Sequence, residues 1–97
     1  MPLTTKQNQF LRGKAHRLKP VVIIGGAGLT DAVLEEIKIA LAHHELIKVK
    51  INAGERTERQ EMISHITTAS DCHHVQTIGR IGVFYKPGEE KKITLPK

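Results

Sequence analysis

A run of branched apolar residues ends abruptly in glycines, and this junction limits the folds open to the chain. Val21-Val22-Ile23-Ile24 leads directly into Gly25-Gly26-Ala27-Gly28. A short, non-alternating run of Val and Ile predicts a strand covered on both faces, as is typical of parallel pairing. Pro20 fits the start of such a strand. The glycines allow a tight turn, so the segment predicts a strand, a sharp turn and then a helix.

Apolar spacing and capping residues predict three helices. Thr30 is a good N-cap for the helix after the glycines, and Asp31 lies in its first turn, where the helix dipole favours an acid. Leu29 and Leu34 stand at the spacing of a hydrophobic staple. The three predicted helices span residues 4–16, 31–44 and 55–70.

Period-two alternation predicts a second strand over residues 46–51, with Lys48 and Lys50 on its open face. Two further strands, about 74–78 and 81–86, flank Gly79-Arg80, which fits a type II′ turn with Arg80 at an exposed tip. The predicted order is α-β-α-β-α-β-β. Two β-α-β crossovers and a final hairpin predict a compact α/β sandwich with a mixed four-stranded sheet.

Length and composition predict one domain over residues 1–97. The hydrophobic fraction of 39% is enough for one core, which must be aliphatic because aromatic residues are only 3%. Residues 87–97 contain Pro, Gly and a charge block, and we expect an extended or loosely held tail. Nothing resembles a coiled-coil seam, so the expected state is a monomer.

The charge distribution favours a polyanionic partner. The formal net charge is +5, and residues 1–28 carry five basic and no acidic residues. Such asymmetry predicts an oriented basic face that would attract nucleic acid or an anionic membrane. Phe84 and Tyr85 would point to opposite faces of a strand, so at most one could stack on a base. This favours recognition of folded RNA by shape and backbone.

The location of the protein is predicted from what the sequence lacks. Cys72 is the single cysteine, so no intramolecular disulfide can form, which fits a reducing compartment. The N-terminus shows no apolar signal region. The longest apolar run, Val21 to Ile24, is far shorter than the roughly 20 residues that span a bilayer. We therefore expect a cytoplasmic protein that does not bind membranes.

The glycine loop predicts a phosphate-binding role. It matches neither the P-loop nor the dinucleotide-binding pattern, but it fits G-x-x-G, which clamps a nucleotide backbone in some RNA-binding modules. The next helix N-terminus would favour an anion there, although a tight turn without a ligand is the simpler alternative. Scattered cations suit an extended line of phosphates. The predicted RNA-binding residues are Gly25, Gly26, Ala27, Gly28, Lys14, Arg17, Lys19, Lys48, Lys50 and Arg80.

Metal binding and catalysis find little support. His43-His44 and Cys72-His73-His74 are the histidine clusters, but neighbouring side chains on a helix or strand diverge. No C-x-x-C or H-x-x-x-H spacing is present. Cys72 with His74 could be a nucleophile and base, yet no spacing supports it, and so short a chain leaves little room for a substrate pocket. We expect no metal, no cofactor, no small-molecule substrate and no enzymatic activity.

Three segments together resemble one known family. Residues 11–30 (LRGKAHRLKPVVIIGGAGLT), 44–50 (HELIKVK) and 78–86 (IGRIGVFYK) resemble the CRM domain, named for chloroplast RNA splicing and ribosome maturation. A single copy is similar to bacterial YhbY-type proteins. The resemblance implies a fold similar to the C-terminal domain of translation initiation factor three. It also implies RNA binding through the G-x-x-G loop and, for bacterial members, association with precursors of the large ribosomal subunit.

The chain departs from the family at the loop tip. Many members place Lys or Arg between the two glycines, whereas this chain has Gly26-Ala27. Phosphate contacts at the tip would then use backbone N–H groups, and binding would depend on a larger ribonucleoprotein. The expected partner is ribosomal RNA of the large-subunit precursor. The alternative is a protein-interaction module that docks on a ribosomal or RNA-processing protein.

Overall fold

A computed structural model describes residues 3–89 and 92–97. Residues 1, 2, 90 and 91, which belong to the predicted domain and its tail, lie outside the described residues. Within the described part, the helices are α1 (Thr5–Ala15), α2 (Asp31–His44) and α3 (Arg56–Ala69), and the strands are β1 (Val22–Ile24), β2 (Leu46–Ile51), β3 (His73–Ile78) and β4 (Ile81–Tyr85). The predicted α-β-α-β-α-β-β order is confirmed.

The four strands form one mixed sheet in the order β1-β2-β4-β3. β1 pairs parallel with β2, and the register places Ile24 opposite Ile51. β4 returns antiparallel between β2 and β3. Gly79 at the β3–β4 turn has φ +58, while Arg80 has no positive φ, as the predicted type II′ turn requires. The mixed four-stranded α/β fold is therefore confirmed.

Helices cover both sides of the sheet. α2 and α3 pack on one side over an aliphatic core with Phe84 at its centre. α1 packs on the other side, where Leu11 and Ala15 contact a cluster that includes Leu46 and Tyr85. Phe84 and Tyr85 are both buried, so neither is free to stack on a base.

Local capping explains where the helices begin. The Thr4 and Gln7 side chains form a capping box at α1, and the Thr30 hydroxyl accepts the Val33 N–H at α2. A Ser or Thr cap of this kind contributes about 1 kcal/mol. At the start of α3, the Glu58 side chain accepts the Glu55 N–H at 3.2 Å. In the described residues, no helix has the length and apolar character needed to cross a membrane.

The first strand differs from its prediction. β1 is an edge strand, and α1 covers the sheet over β2, β3 and β4 instead. Val22 and Ile24 are buried toward α2, but Val21 is 50% exposed and Ile23 is 58% exposed. The prediction of cover on both faces was wrong because strand order, which local periodicity does not encode, decides it.

The C-terminal tail is extended but is held firmly. The Lys92 and Ile93 N–H groups donate to the buried Glu45 carboxylate, at 2.7 Å and 3.4 Å. Pro96 accepts a hydrogen bond from Gln7 Nε2 at 3.1 Å. Ile93 and Leu95 pack against the α1 cluster. Residues 92–97 therefore take the extended form of the expected tail, and these contacts attach them to Glu45, Gln7 and the α1 cluster.

Candidate nucleic-acid interface

Three segments meet where β1 and β2 end. The Asn52 N–H donates to Ile24 O at 2.8 Å, just before the glycine loop begins. The Ile51 N–H donates to Arg80 O at 2.7 Å in the β3–β4 turn. Because β2 separates β1 from β4, two strand spacings, or about 10 Å, separate the backbone of the loop from that of the turn. We call this end of the sheet the loop end.

The glycine loop is a tight turn with an open tip. The Gly28 N–H donates to Gly25 O at 3.0 Å, which closes a β-turn. Gly28 has φ +78, so this position requires glycine for its backbone. Gly26 and Ala27 are exposed, and their N–H groups have no acceptor within the described part of the chain. The tip can therefore offer two backbone donors to an anion.

The N-terminus of α2 is less available to an anion than the loop tip. Thr30 Oγ1 already accepts the Val33 N–H at 3.2 Å. Asp31 places a carboxylate in the first turn, which balances the positive end of the helix dipole. The N–H groups of Gly26 and Ala27 are thus more available to an anion than the N-terminus of α2.

A cleft beside the loop end collects three arginines. It lies between α3 and the β3–β4 turn, has a volume of about 630 Å³, and is lined by Arg56, Arg59 and Arg80 with no acidic residue. The Arg59 Nη1 group donates to Gly54 O at 2.9 Å, which fixes its position. We call it the α3 cleft.

Sequence reasoning missed Arg56 and Arg59. Neither is among the RNA-binding residues predicted from the sequence. The structure shows that the first two turns of α3 lie beside the Gly79-Arg80 turn. The signal that could have found them is their i, i+3 spacing, which puts two arginines on one helix face.

Lys48 and Lys50 have different surroundings, although both extend from β2 toward the side of α1. Lys48 is only 9% exposed because α1 lies over it, so its prediction as an open-face residue was wrong. Lys50 is exposed. It is paired in register with Ile23 on β1 and Ile81 on β4.

Two of the remaining predicted cations, Lys14 and Lys19, lie near the start of β1 and β2, where both line one groove with Val21 and Leu46. Lys14 is in the last turn of α1, and Arg17 and Lys19 follow in the connection to β1; all three are exposed. Lys19 precedes Gly25 by six residues, or about 20 Å of extended chain. The structure therefore places the Gly25–Gly28 loop and Arg80 at the loop end, with Lys50 nearby on the α1 face of the sheet. Lys14 and Lys19, with Arg17 between them in the chain, form a second basic region.

Burial shifts the pKa values of Cys72 and His74 in opposite directions. Burial raises the pKa of the Cys72 thiol to about 11, so the thiol is protonated at neutral pH. Burial lowers the pKa of His74, whose Nε2 lies 2.7 Å from the Thr77 hydroxyl. In the residues that the structure describes, no group of three or more His, Cys, Asp or Glu residues could hold a metal ion.

Comparison with known proteins places the chain in a family. Residues 3–86 match the model of the CRS1 / YhbY (CRM) domain. The chain belongs to this CRM domain family. The match includes the glycine loop, the α3 cleft and β4, and it ends at residue 86, before the tail. The CRM resemblance of the three sequence segments is therefore confirmed.

Relatives with CRM-like sequences come from several bacteria. A Haemophilus influenzae protein named "RNA-binding protein" is 55% identical over 95 residues, which cover 98% of this chain and 96% of the relative. "Probable RNA-binding protein YqeI" of Bacillus subtilis is 39% identical, covering 97% and 99%. The solution structure of the Staphylococcus aureus protein SAV1595 has a TM-score of 0.84 and 33% identity, covering 98% and 100%.

Proposed function

We propose that this protein is a monomeric, cytoplasmic RNA-binding assembly factor that acts on precursor ribosomal RNA of the large subunit. One observation carries the proposal: an open glycine loop with two free N–H donors lies beside a cleft with three arginines and no acids. The names of the relatives from Haemophilus influenzae and Bacillus subtilis support RNA as the ligand. The protein would bind RNA without catalysing a reaction.

The proposed mechanism is capture of the RNA backbone. The Gly26 and Ala27 N–H groups donate to one phosphate, and no side chain at the tip blocks its approach. Arg80 at the β3–β4 turn and Lys50 on the α1 face neutralise neighbouring phosphates. The second basic region, at Lys14, Arg17 and Lys19, contacts RNA farther along. Such contacts position the protein on RNA without reading its sequence.

The ribosomal target is supported by the family resemblance and is tested by sedimentation. A cell lysate is run through a sucrose gradient with and without ribonuclease, and the protein is detected in the fractions. We expect a nuclease-sensitive peak at or just below the large subunit. Protein found only at the top of the gradient would remove the ribosome from the proposal and leave general RNA binding.

A second function, docking on a protein partner, is favoured by exposed apolar side chains on the sheet. Ile23 and Ile78 are 58% and 51% exposed and belong to one cross-strand row with Lys50 and Ile81. Apolar surface of this kind is common at protein interfaces. Pull-down after nuclease treatment separates the two functions, because an interaction that survives the nuclease supports docking on a protein.

A further inference from the structure

The α3 cleft has the size and chemistry of a nucleotide pocket. Its volume of about 630 Å³ lies within the range of roughly 300–1,000 Å³ of small-ligand sites. A phosphate bound by arginines would fill only part of this space. The remaining space can therefore hold the rest of a nucleotide.

The lining of the cleft is graded from charged to apolar. Arg56 and Arg80 are exposed, while Arg59 is half-buried and tied to Gly54 O at 2.9 Å. Ile51 and Ile63 are buried and also line the cleft. The arginines suit a phosphate group, since a guanidinium forms bidentate hydrogen bonds with it. The isoleucines form an apolar floor, and Ile63, at 7% exposure against 1% for Ile51, is the one that the face of a base could contact.

Neutral polar side chains complete the wall of the cleft: Gln60, Ser64, His74 and Thr77. His74 and Thr77 are already paired with each other, since His74 Nε2 lies 2.7 Å from the Thr77 hydroxyl, so they shape the wall of the cleft. Gln60 and Ser64, both exposed on α3, offer an amide and a hydroxyl that can donate and accept hydrogen bonds. Donors and acceptors of this kind bind the edge of an unstacked base, and arginine planes can stack on its face.

We propose that the α3 cleft holds one unpaired nucleotide of the RNA that is bound at the Gly25–Gly28 loop. Arg56 and Arg80 bind its phosphate, Gln60 and Ser64 contact the edge of its base, and Ile63 packs against the ring. The proposal rests on the proposed function and adds a preference for RNA with an unpaired nucleotide. The separation of about 10 Å between loop and turn lets one strand reach both sites.

The test compares three fluorescently labelled RNAs at one salt concentration. They are a fully paired hairpin, the same hairpin with a one-nucleotide bulge, and the bulged hairpin with 2-aminopurine as the bulged base. We expect the bulged hairpin to bind about five-fold more tightly, the factor that one net hydrogen bond gives. The fluorescence of 2-aminopurine should change when the protein binds.

Charge-neutral variants separate this pocket from general phosphate binding. Ser64→Leu fills the cleft on a helix that tolerates leucine, and it should abolish the preference for the bulge without weakening the paired hairpin. Gln60→Leu is a second variant with the same expected effect. Thr68→Leu is the control, since Thr68 is exposed on the same helix outside the cleft lining. Thermal unfolding checks that each variant is folded.

Each outcome decides between the two proposals. A bulge preference that Ser64→Leu or Gln60→Leu removes and Thr68→Leu keeps supports the nucleotide pocket. Equal binding of paired and bulged hairpins, or a preference that survives both cleft variants, overturns the pocket and leaves RNA binding intact. Failure of the wild-type protein to bind any of the hairpins overturns the pocket, whereas the proposed role on ribosomal RNA is decided by the sedimentation experiment.

Discussion

At the scale of single residues, the tip of the glycine loop gives the cleanest test of phosphate binding. Gly26 has no positive φ, and a Cβ built there contacts nothing. We predict that Gly26→Asp leaves folding unchanged and weakens RNA binding about five-fold or more, because a like charge at about 4 Å costs about 1 kcal/mol even in water. Fluorescence anisotropy with labelled RNA measures the change. Gly26→Asn is the neutral control, and equal affinities of the two variants would contradict phosphate contact at the tip.

Gly28 behaves differently because its backbone is left-handed. Met62 Cε would lie 3.9 Å from an added Cβ, so space is available, but φ of +78 is unfavourable for a side chain. We predict that Gly28→Ala lowers the free energy of unfolding by about 1–2 kcal/mol. Urea denaturation measures this, and Gly25→Ala, with open space and no positive φ, should be close to neutral. Equal effects of the two substitutions would mean that the turn does not require glycine at residue 28.

The Cys72 thiol should resist reaction until the protein unfolds. Burial raises its pKa from near 9 to about 11, so at about pH 8 the native thiol is protonated, and only the thiolate is a nucleophile. We predict slow reaction with Ellman's reagent in the native state and fast reaction in guanidinium. As pH rises, the thiol ionises in the unfolded protein before it ionises in the folded protein. The stability that the neutral Cys72 thiol contributes is therefore intact below about pH 9 and is lost between about pH 9 and 11. Fast labelling of the native protein would contradict this burial.

At the scale of elements, the C-terminal segment should behave as part of the fold. Its N–H groups satisfy the buried Glu45 carboxylate, and Ile93 and Leu95 cover the α1 cluster. We predict that truncation after residue 89 lowers the free energy of unfolding by about 2–4 kcal/mol, because the burial of Ile93 and Leu95 is lost and the Glu45 carboxylate is left unsatisfied. Chemical denaturation measures it. Thr94→Ala, at an exposed position in the same segment, should change little, and an equally stable truncated chain would show that the tail is dispensable.

The element boundaries were predictable because their signals are local. Thr30 and its neighbours fix the start of α2, and the Gly79-Arg80 pair fixes the final hairpin. The exposure of Ile23 and the burial of Lys48 were not predictable in this way. Both depend on β4 entering between β2 and β3 and on α1 lying over β2, and these are contacts between distant parts of the chain. The same limit hid Arg56 and Arg59, whose role depends on the turn that α3 approaches.

At the scale of the whole molecule, the fold divides the basic residues into two regions. The loop end combines backbone donors with the α3 cleft, with Lys50 nearby on the α1 face of the sheet, while Lys14 and Lys19 lie near the start of β1 and β2, with Arg17 between them in the chain. The two regions are joined by about 20 Å of chain. An RNA bound at the loop end could therefore reach the second region only if it follows the exposed β1 edge, so both regions should contribute to the salt dependence of binding.

Salt dependence can test this division residue by residue. Each phosphate that a cation neutralises contributes about −0.9 to the slope of log K against log salt concentration for duplex nucleic acid. We predict that Arg80→Gln and Lys19→Gln each make the slope shallower by about that amount. Lys48→Gln should leave it unchanged, because α1 covers Lys48 and it is only 9% exposed. Anisotropy titrations over a series of salt concentrations measure the slopes. A shallower slope for Lys48→Gln would show that RNA reaches beneath α1, whereas an unchanged slope for Lys19→Gln would confine the interface to the loop end.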